Sequence, residues 1–348
     1  MSIGFVVNNM FSEHPRSSTL KMGLTAFNRG HHIYFISVGD LSYDHDEKIR
    51  AKACCPAQKR YTSLDSFSRD LKDIPREGYR KIDVADLDVL MLRYDPSLEP
   101  PTRDWARFIA LDFGMFAIKS GVIVLNNPGG LSKSRNKLYL QHFPEDIRPK
   151  TVITRDRNEL KKFFDENQKV VLKPLFGSEG RNVFLVHEKE IPNVNQMIDA
   201  VSRDGYVIAQ EYISSSEDGD IRLFVMNGEP LIHKGAYAAV KRVKTNGDLR
   251  NNIGAGGKAK KAKITKDVLR IVDIVRPRLV QDGMFLVGLD IAGDKLLEIN
   301  VFMPGALNSV ERITGVDFTE AIVDALERKV EYMTYYKRKF DNNEMATM

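Results

Sequence analysis

Near the C-terminal end of the chain stands GLDIAGDKLLEIN, residues 288 to 300, with Asp290 and Glu298 flanking the short turn Ala292-Gly293-Asp294 and Asn300 close behind. Each acid lies in a segment that reads as a buried strand, and a buried carboxylate without a partner is costly. Asp290, Glu298 and Asn300 carry hard oxygen ligands. Magnesium takes such oxygens and is commonly held by one or two carboxylates together with substrate phosphates. Residues 298 and 300 stand two apart on a strand and share a face, and across the turn Asp290 can join them. The plainer alternative is a pair of surface hairpin acids, but the flanking FLVGL and KLLEINVF argue for burial.

A second stretch, VVLKPLFGSEGRNVFLV, ends an apolar strand on Lys173 and follows it with Gly177-Ser178-Glu179-Gly180. A lysine beside a small-residue turn with free backbone N–H groups can hold phosphate oxygens. A hairpin with a strand-end lysine explains the same residues, and both readings stay open at this point. In VIAQEYI, Gln210 and Glu211 interrupt an apolar strand. Such a segment can present backbone groups to an adenine while an acid takes ribose hydroxyls; taken alone, an edge strand with one wet face is the simpler account. The chain has no G-x-x-x-x-G-K-[ST], no G-x-G-x-x-G after a strand, no H-E-x-x-H and no paired C-x-x-C. The seven histidines are scattered and read as surface or structural residues.

The elements that must position these residues follow from periodicity. IGFVV, HIYFISV, DLDVLML and GVIVLN read as strands, with helices over 17–29 and 102–120. Strands alternating with helices imply an α/β domain on a parallel sheet covered on both faces. Residues 44–86 are charge-rich and remain unassigned. NNPGGLSKSRNK, 126–137, breaks the pattern and reads as a domain boundary. Beyond it come strands KTVITRD, KVVLKP and YVIAQEYI with helices at 156–166 and 193–203. A hairpin turns on Asn227-Gly228, and further helices occupy about 265–282 and 317–333. The tail KRKFDNNEMATM reads as mobile.

The 348 residues suffice for two or three domains. No apolar run reaches the ~18 residues of a membrane span, which argues against a membrane protein. The start MSIGFVVNN reads as a strand rather than a signal peptide. Cys54 and Cys55 are adjacent, a poor disulfide geometry, so a reducing cytoplasm is the simplest compartment. The net charge of +5 is concentrated in KRVKTNGDLRNNIGAGGKAKKAK, 241–263. That stretch serves anionic small molecules or nucleic acid equally. It lacks interleaved aromatics, and a nucleic-acid role leaves Asp290 and Glu298 unexplained, so nucleic acid is not expected as a partner.

Taken together, ADLDVLMLRYDP, SKSRNKLYLQHF, VVLKPLFGSEGRNVF, AQEYI, DGDIRLFVMNGEP, LRNNIGAGG and FLVGLDIAGDKLLEIN stand in an order that resembles the ATP-grasp ligases, and among them the bacterial glutathione synthetases. The resemblance spans nearly the whole chain. It implies an ATP-grasp fold: an N-terminal α/β domain over 1–127, a central subdomain over 128–212, a C-terminal subdomain over 213–335 and a tail over 336–348. By the same resemblance, Lys137 and Lys173 are the nucleotide-phosphate lysines and Gly177, Ser178, Glu179 and Gly180 the cover over the phosphates. Gln210, Glu211, Tyr212 and Ile213 are the adenine hinge, and Asp220 is a ribose or lysine partner. Arg222 and Arg242 fall on the transferred phosphate and reacting carboxylate. Arg93, Asp95, Arg250, Asn252, Pro304 and Gly305 fall by the substrate, and Asp290, Glu298 and Asn300 are the metal ligands.

The cofactors implied are ATP and one or two Mg²⁺, with Mn²⁺ as a substitute. The substrates implied are amino acids or dipeptides, joined through an acyl phosphate that a lid over 241–260 would shield from water. The assembly implied is a dimer or tetramer. After the metal strand the chain reads NVFMPGAL, where the glutathione synthetases favour Ser/Thr-Pro, and MPGAL is nearer other ATP-grasp peptide ligases. The expectation is therefore glutathione synthesis from γ-glutamylcysteine and glycine, with a glutamate-adding or peptide-tailoring ligase as the alternative.

Overall fold

Valine-, isoleucine- and phenylalanine-rich runs alternate with amphipathic stretches up to residue 125, and in the computed structural model they fold as a twisted α/β layer. The structure describes residues 1–177, 180–187, 193–203, 205–243, 258–337 and 340–348. The layer comprises β1 (Ser2–Val7), α1 (Ser18–Asn28), β2 (His32–Tyr43), β3 (Ile49–Cys54), α2 (Leu64–Asp73), β4 (Arg80–Asp83), β5 (Val89–Leu92), α3 (Ile109–Lys119) and β6 (Ile123–Leu125). Strand order is β4-β3-β2-β1-β5-β6. Four strands are parallel, as the alternating pattern requires. The unassigned segment 44–86 supplies β3 and β4, which extend the edge antiparallel. Part of its charge forms an ion cluster at the β2–β3 turn, where Arg50 donates to Asp44 at 2.7 Å and to Asp46 at 2.7 Å. The single helix expected over 102–120 divides into a 3₁₀ turn at Pro101–Ala106 and α3, where Arg103 leaves helical geometry.

The chain then passes through α4 (Pro128–Lys133) and a 3₁₀ helix, Lys137–His142, into a small domain. This holds β7 (Thr151–Thr154), α5 (Arg157–Glu166), β8 (Lys169–Pro174), β9 (Phe184–His187), α6 (Val194–Ser202) and β10 (Val207–Glu211). The sheet is antiparallel in the order β7-β10-β8-β9. Leu160 of α5 and Ile198 of α6 pack with Leu172, Val207 and Ala209 in one core. By strand alternation Lys173 and Gln210 then face the other side.

The third sheet follows. Its elements are β11 (Asp220–Met226), β12 (Glu229–Pro230), β13 (Ile232–His233), β14 (Ala236–Tyr237), β15 (Ala239–Val243), β16 (Lys258–Lys261), α7 (Lys266–Gln281), β17 (Leu286–Ala292), β18 (Lys295–Asn300), α8 (Leu307–Thr314), α9 (Thr319–Tyr335) and α10 (Asn342–Thr347). Strand order is β16-β15-β11-β17-β18, with β12 beside β11. The β11–β12 turn carries positive φ at both Asn227 and Gly228, the type I′ geometry that the pair predicts. The tail corrects its expectation. Residues 340–348 end in α10, whose Asp341 and Glu344 form a capping box. Met345 and Ala346 are fully buried, and Asn342 brackets Val124 of β6 with bonds of 2.7 and 2.9 Å.

Candidate active site

Strand register builds the site. Asp290 of β17 lies directly opposite Glu298 of β18 on one side and Arg222 of β11 on the other. Arg242 of β15 lies opposite Asp220, two residues before Arg222. Directly opposed residues share a face, as do residues two apart. One face of β15-β11-β17-β18 therefore carries Arg242, Asp220, Arg222, Asp290, Glu298 and Asn300. A bulge between Asp290 and Ile291 follows immediately, where Ile291 pairs with Leu296 and Leu297 is the extra residue. Bulges of this kind re-aim side chains beside functional sites. Gly219, at φ 103°, completes the approach: a Cβ there would collide with the Arg242 carbonyl.

The acids are paired. Arg222 grips Asp290 with Nε on Oδ1 and with Nη2 on Oδ2 at 2.8 Å. Arg242 reaches the same Oδ2 at 2.8 Å and holds Asp220 in a second fork, at 2.6 and 2.8 Å. Bidentate forks of this type are the strong form of the ion pair. Burial opposes ionisation of Asp290, but the two guanidiniums outweigh it and hold the carboxyl down to about 2. Burial likewise opposes charge on Arg242, and Asp290 and Asp220 turn its shift upward. Asn300 Nδ2 stands 3.4 Å from Asp290 Oδ2. Glu298 meets the other wall of the site: Lys137 Nζ lies 3.1 Å from its Oε1. Against burial, Lys137 and Lys173 keep Glu298 below the ordinary glutamate range.

That other wall belongs to the central domain. Lys173 is driven by burial down to about 8, with Glu298 partly restoring its charge, and it donates to Gln210 Oε1 at 2.9 Å. Gln210 Nε2 in turn bonds Thr151 at 3.3 Å. Lys137 also donates to the Gly177 carbonyl, and Gly180 sits at φ 71°. A cleft runs between the walls, lined by Ser134, Asn136, Lys137, Tyr139, Lys173, Ile208, Gln210 and Glu298. It continues past Asp95, Phe176, Gly177, Asn300 and Met303, enclosing about 110 Å³ in that part. Beyond Met303 lies a roomier cleft of about 440 Å³ lined by Asn8, Ser12, Glu13, His14, Glu99 and Arg103.

The structure thus brings Lys137, Lys173, Gly177, Gln210, Asp220, Arg222, Arg242, Asp290, Glu298 and Asn300 together. Glu211 accepts from the Lys150 amide at 3.1 Å, the Tyr212 amide donates to Lys169 O at 3.1 Å, and the Ile213 carbonyl accepts from the Ser216 amide at 2.9 Å. These three form the strand exit into the third sheet. Asp220 lies against Arg242. Arg93 is buried behind the clefts and donates to the Pro304 carbonyl at 3.1 Å, while Gly305 O lies 3.4 Å from Arg222 Nη1. Asp95 lines the cleft but spends one oxygen capping Ser97, at 2.8 Å to its amide and 2.6 Å to its hydroxyl. Ser178, Glu179, Arg250, Asn252 and residues 244–257 of the basic stretch lie outside the described residues. Thr151, Glu13 and Glu99 carried no motif signal. Only placement by distant elements shows Glu13 and Glu99 at the larger cleft and Thr151 behind Gln210.

Asp290, Glu298 and the Asn300 amide on one face offer oxygens that suit a hard divalent cation, and with Asp220 the acids of the site fall one charge short of the four cations Arg222, Arg242, Lys137 and Lys173. The comparisons with known proteins agree. The family model for the ATP-grasp domain of prokaryotic glutathione synthetase matches residues 136–315, and that for its N-terminal domain matches 1–131. The glutathione synthetase of Vibrio parahaemolyticus is 30% identical over 339 residues, 95% of this chain and 99% of that protein. That of Escherichia coli K12 is 30% identical over 319 residues, covering 91% and 94%. Among solved structures, the ATP-grasp ligase PsnB with a minimal precursor superposes at TM-score 0.59 with 17% identity over 93% of this chain and 98% of its own. D-alanyl-alanine synthetase A of Vibrio cholerae superposes at 0.57 with 10% identity over 95% and 99%, so both share the fold. The chain is an ATP-dependent ligase with the ATP-grasp fold, and it belongs to the prokaryotic glutathione synthetase family.

Proposed function

We propose that the chain joins γ-glutamylcysteine to glycine, forming glutathione, ADP and phosphate. The observation that carries this reading is the single cleft face on which Arg222, Arg242, Asp290 and Glu298 meet Lys137 and Lys173 of the facing wall. Family membership supplies the substrates. Residues 1–127, 128–212 and 213–335 are the working domains of this account, with 336–348 as a tail. The site works on amino acids and dipeptides in the cytoplasm, without nucleic acid or membrane, as a dimer or tetramer. Among the described residues no helix is long and apolar enough to cross a membrane.

A carboxylate oxygen does not leave unaided. Its attack on the γ-phosphorus of ATP releases ADP and gives an acyl phosphate. The amine nitrogen then attacks the carbonyl carbon, the bond to phosphate breaks with its electron pair, and the amine gives up a proton. Lys137 and Lys173 hold phosphate oxygens, and Arg222 and Arg242 stabilise charge that develops on the transferred group and on the carboxylate. Residues 210–213 present backbone to the adenine. Asp290, Glu298 and Asn300 would hold magnesium, one ion or two, or manganese in its place, and such a cation supplies positive charge beside the phosphates. Asp220 orients Arg242 through its fork. Arg93 fixes the Pro304 carbonyl and so positions the segment between the two clefts.

A second reading, an ATP-grasp ligase for another acid and amine, is favoured by one feature. Met303, which opens the Met-Pro-Gly sequence, lines both the phosphate cleft and the larger cleft, whose wall carries Glu13 and Glu99. The deciding experiment is an ADP-release screen of the purified chain over amino acids and short peptides. Turnover that requires both γ-glutamylcysteine and glycine supports the first reading. A different pair turned over faster overturns it in favour of the second.

A further inference from the structure

The outer face of α3 carries Asp112, Met115, Phe116 and Lys119, spaced i, i+3, i+4 and i+7, so they form one stripe along the helix. Met115 is 48% and Phe116 44% exposed. Tyr43, itself 53% exposed at the end of β2, packs on Phe116 with ring centroids 5.6 Å apart and widens the apolar patch. Asp112 and Lys119 are both exposed, and among the described residues neither has an ion-pair partner. Lys119 leans over the Phe116 ring at 5.0 Å, so its charge lies beside the apolar centre.

The stripe reads the same from either end with the charges exchanged. Asp112 and Lys119 are equidistant from the midpoint between Met115 and Phe116. A twofold axis through that midpoint, perpendicular to the helix, sets two copies of α3 antiparallel. Asp112 then meets Lys119 of the partner subunit, and Met115 meets Phe116 of the partner subunit. Isologous contacts require this kind of self-complementarity. A patch that is apolar at its centre and charged at its rim also has the anatomy of an interface. Met115, Phe116 and Tyr43 adjoin one another and so form one contiguous patch rather than singly scattered apolar residues. Resting on the dimer-or-tetramer reading given above, we propose that this face of α3, flanked by Tyr43, is the contact through which two copies of the chain pair.

The test is sedimentation equilibrium on the full chain. The wild type is expected to dimerise. Phe116→Glu, which places charge at the centre of the contact, is expected to weaken dimerisation by at least ~10-fold. Asp112→Lys and Lys119→Asp should each weaken it about 10-fold by setting like charges opposite one another, while the double exchange should restore it to within about 3-fold of wild type. All three positions are at the surface, and ATP turnover serves as the check on folding. An assembly larger than a dimer that loses one contact under the same single exchanges, and regains it in the double variant, also supports the proposal. A wild type that stays monomeric at ~100 µM overturns it. So does a dissociation constant indifferent to Phe116→Glu, or a double exchange that stays as weak as its two singles.

Discussion

The central domain buries its apolar side chains among themselves, with Leu160, Leu172, Ile198 and Val207 in one small core. The N-terminal and C-terminal sheets instead share theirs. Val6 and Leu92 pack in one core with Val272 and Leu289, and Phe5 and Phe35 in another with Phe224 and Met345. The polar ties differ in the same way. Asn126, buried beyond β6, donates to Leu286 O at 3.0 Å and Val301 O at 2.5 Å and accepts from the Leu286 amide at 2.9 Å. Asp282, also buried, gathers Lys133, Arg278 and Tyr139 at 2.7, 2.7 and 2.9 Å. The connector before β7 belongs with the body, since its Tyr139 and Phe143 join that core and its Asp146 pairs with Arg270. The β7–β10 unit reaches it chiefly through Lys137, which touches both Gly177 and Glu298, the contact of Phe176 with Phe108, and the exposed pair Lys169–Glu217. Exposed pairs contribute little stability. One wall of the cleft can therefore shift without opening a hydrophobic core, while the wall bearing the acids cannot. That division suits a site that must admit a nucleotide and then exclude water.

Glu298 belongs to the rigid wall and touches the other, so its loss should be the most damaging. Glu298→Gln keeps the shape, removes the charge that holds Lys137 and a metal, and is expected to cost ~10²–10³ in turnover with a far-UV spectrum like wild type. Near-normal turnover at saturating magnesium would falsify its metal role.

Matched truncations test the two cores. Ile198 of α6 and Ile271 of α7 are both buried on helices that cover a sheet, and each change to alanine should cost ~2–5 kcal/mol. The difference lies in what unfolds. Hydrogen exchange of Ile198→Ala should accelerate across β7–β10 while the body keeps its protection; Ile271→Ala should destabilise the body. If Ile198→Ala loosens both regions equally, the two-core division is wrong.

The features legible in the sequence are those with local signals. The alternating runs mark the parallel strands, Asn227-Gly228 marks its turn, and the flanks of Asp290 and Glu298 mark their burial. The tail misled because its polar composition outweighs its capping signal, Asp341 with Glu344 three residues on. The edge strands of 44–86 hid behind the charges of their own turn. Helix α8 starts directly from the irregular stretch after Asn300 and has no side-chain cap to announce it. The Asp220–Arg242 fork and the grip of Asn126 on Leu286 join residues whose pairing depends on strand register or on chain folding at long range. No local window contains that information.

Lys173 offers a comparison across pH. Burial holds its folded value near 8, below the ordinary 10.5. Between those values the native state binds fewer protons than the unfolded chain, so stability without ligand should rise with pH through this window. Nucleotide binding should go the other way, because phosphate prefers the ammonium form. ATP affinity is expected to fall by up to ~10-fold per pH unit above about 8, and Lys173→Arg, which stays charged, should flatten that fall. An affinity profile of wild type that is level from pH 7 to about 9.5 would remove Lys173 from the phosphate site.

The smallest effect is the most direct reading of independence. Arg157 of α5 pairs with Asp199 of α6 across the central domain, and both side chains are about half exposed, at 50% and 49%. A pair that open to water contributes ~0.2–1 kcal/mol, so Arg157→Ala should leave global melting almost unmoved. In native-state hydrogen exchange the same small increment should appear equally at every slowly exchanging amide of β8 and β10, because a cooperative unit opens with one free energy. The amides of β11 and β17 should not respond, since they belong to the body's opening. A shift spread over all four strands would mean that the chain opens as one unit. A shift confined to the first turn of α5 would mean that the central domain lacks cooperativity of its own. Only a uniform change within β7–β10, absent elsewhere, is what a separately cored wall predicts.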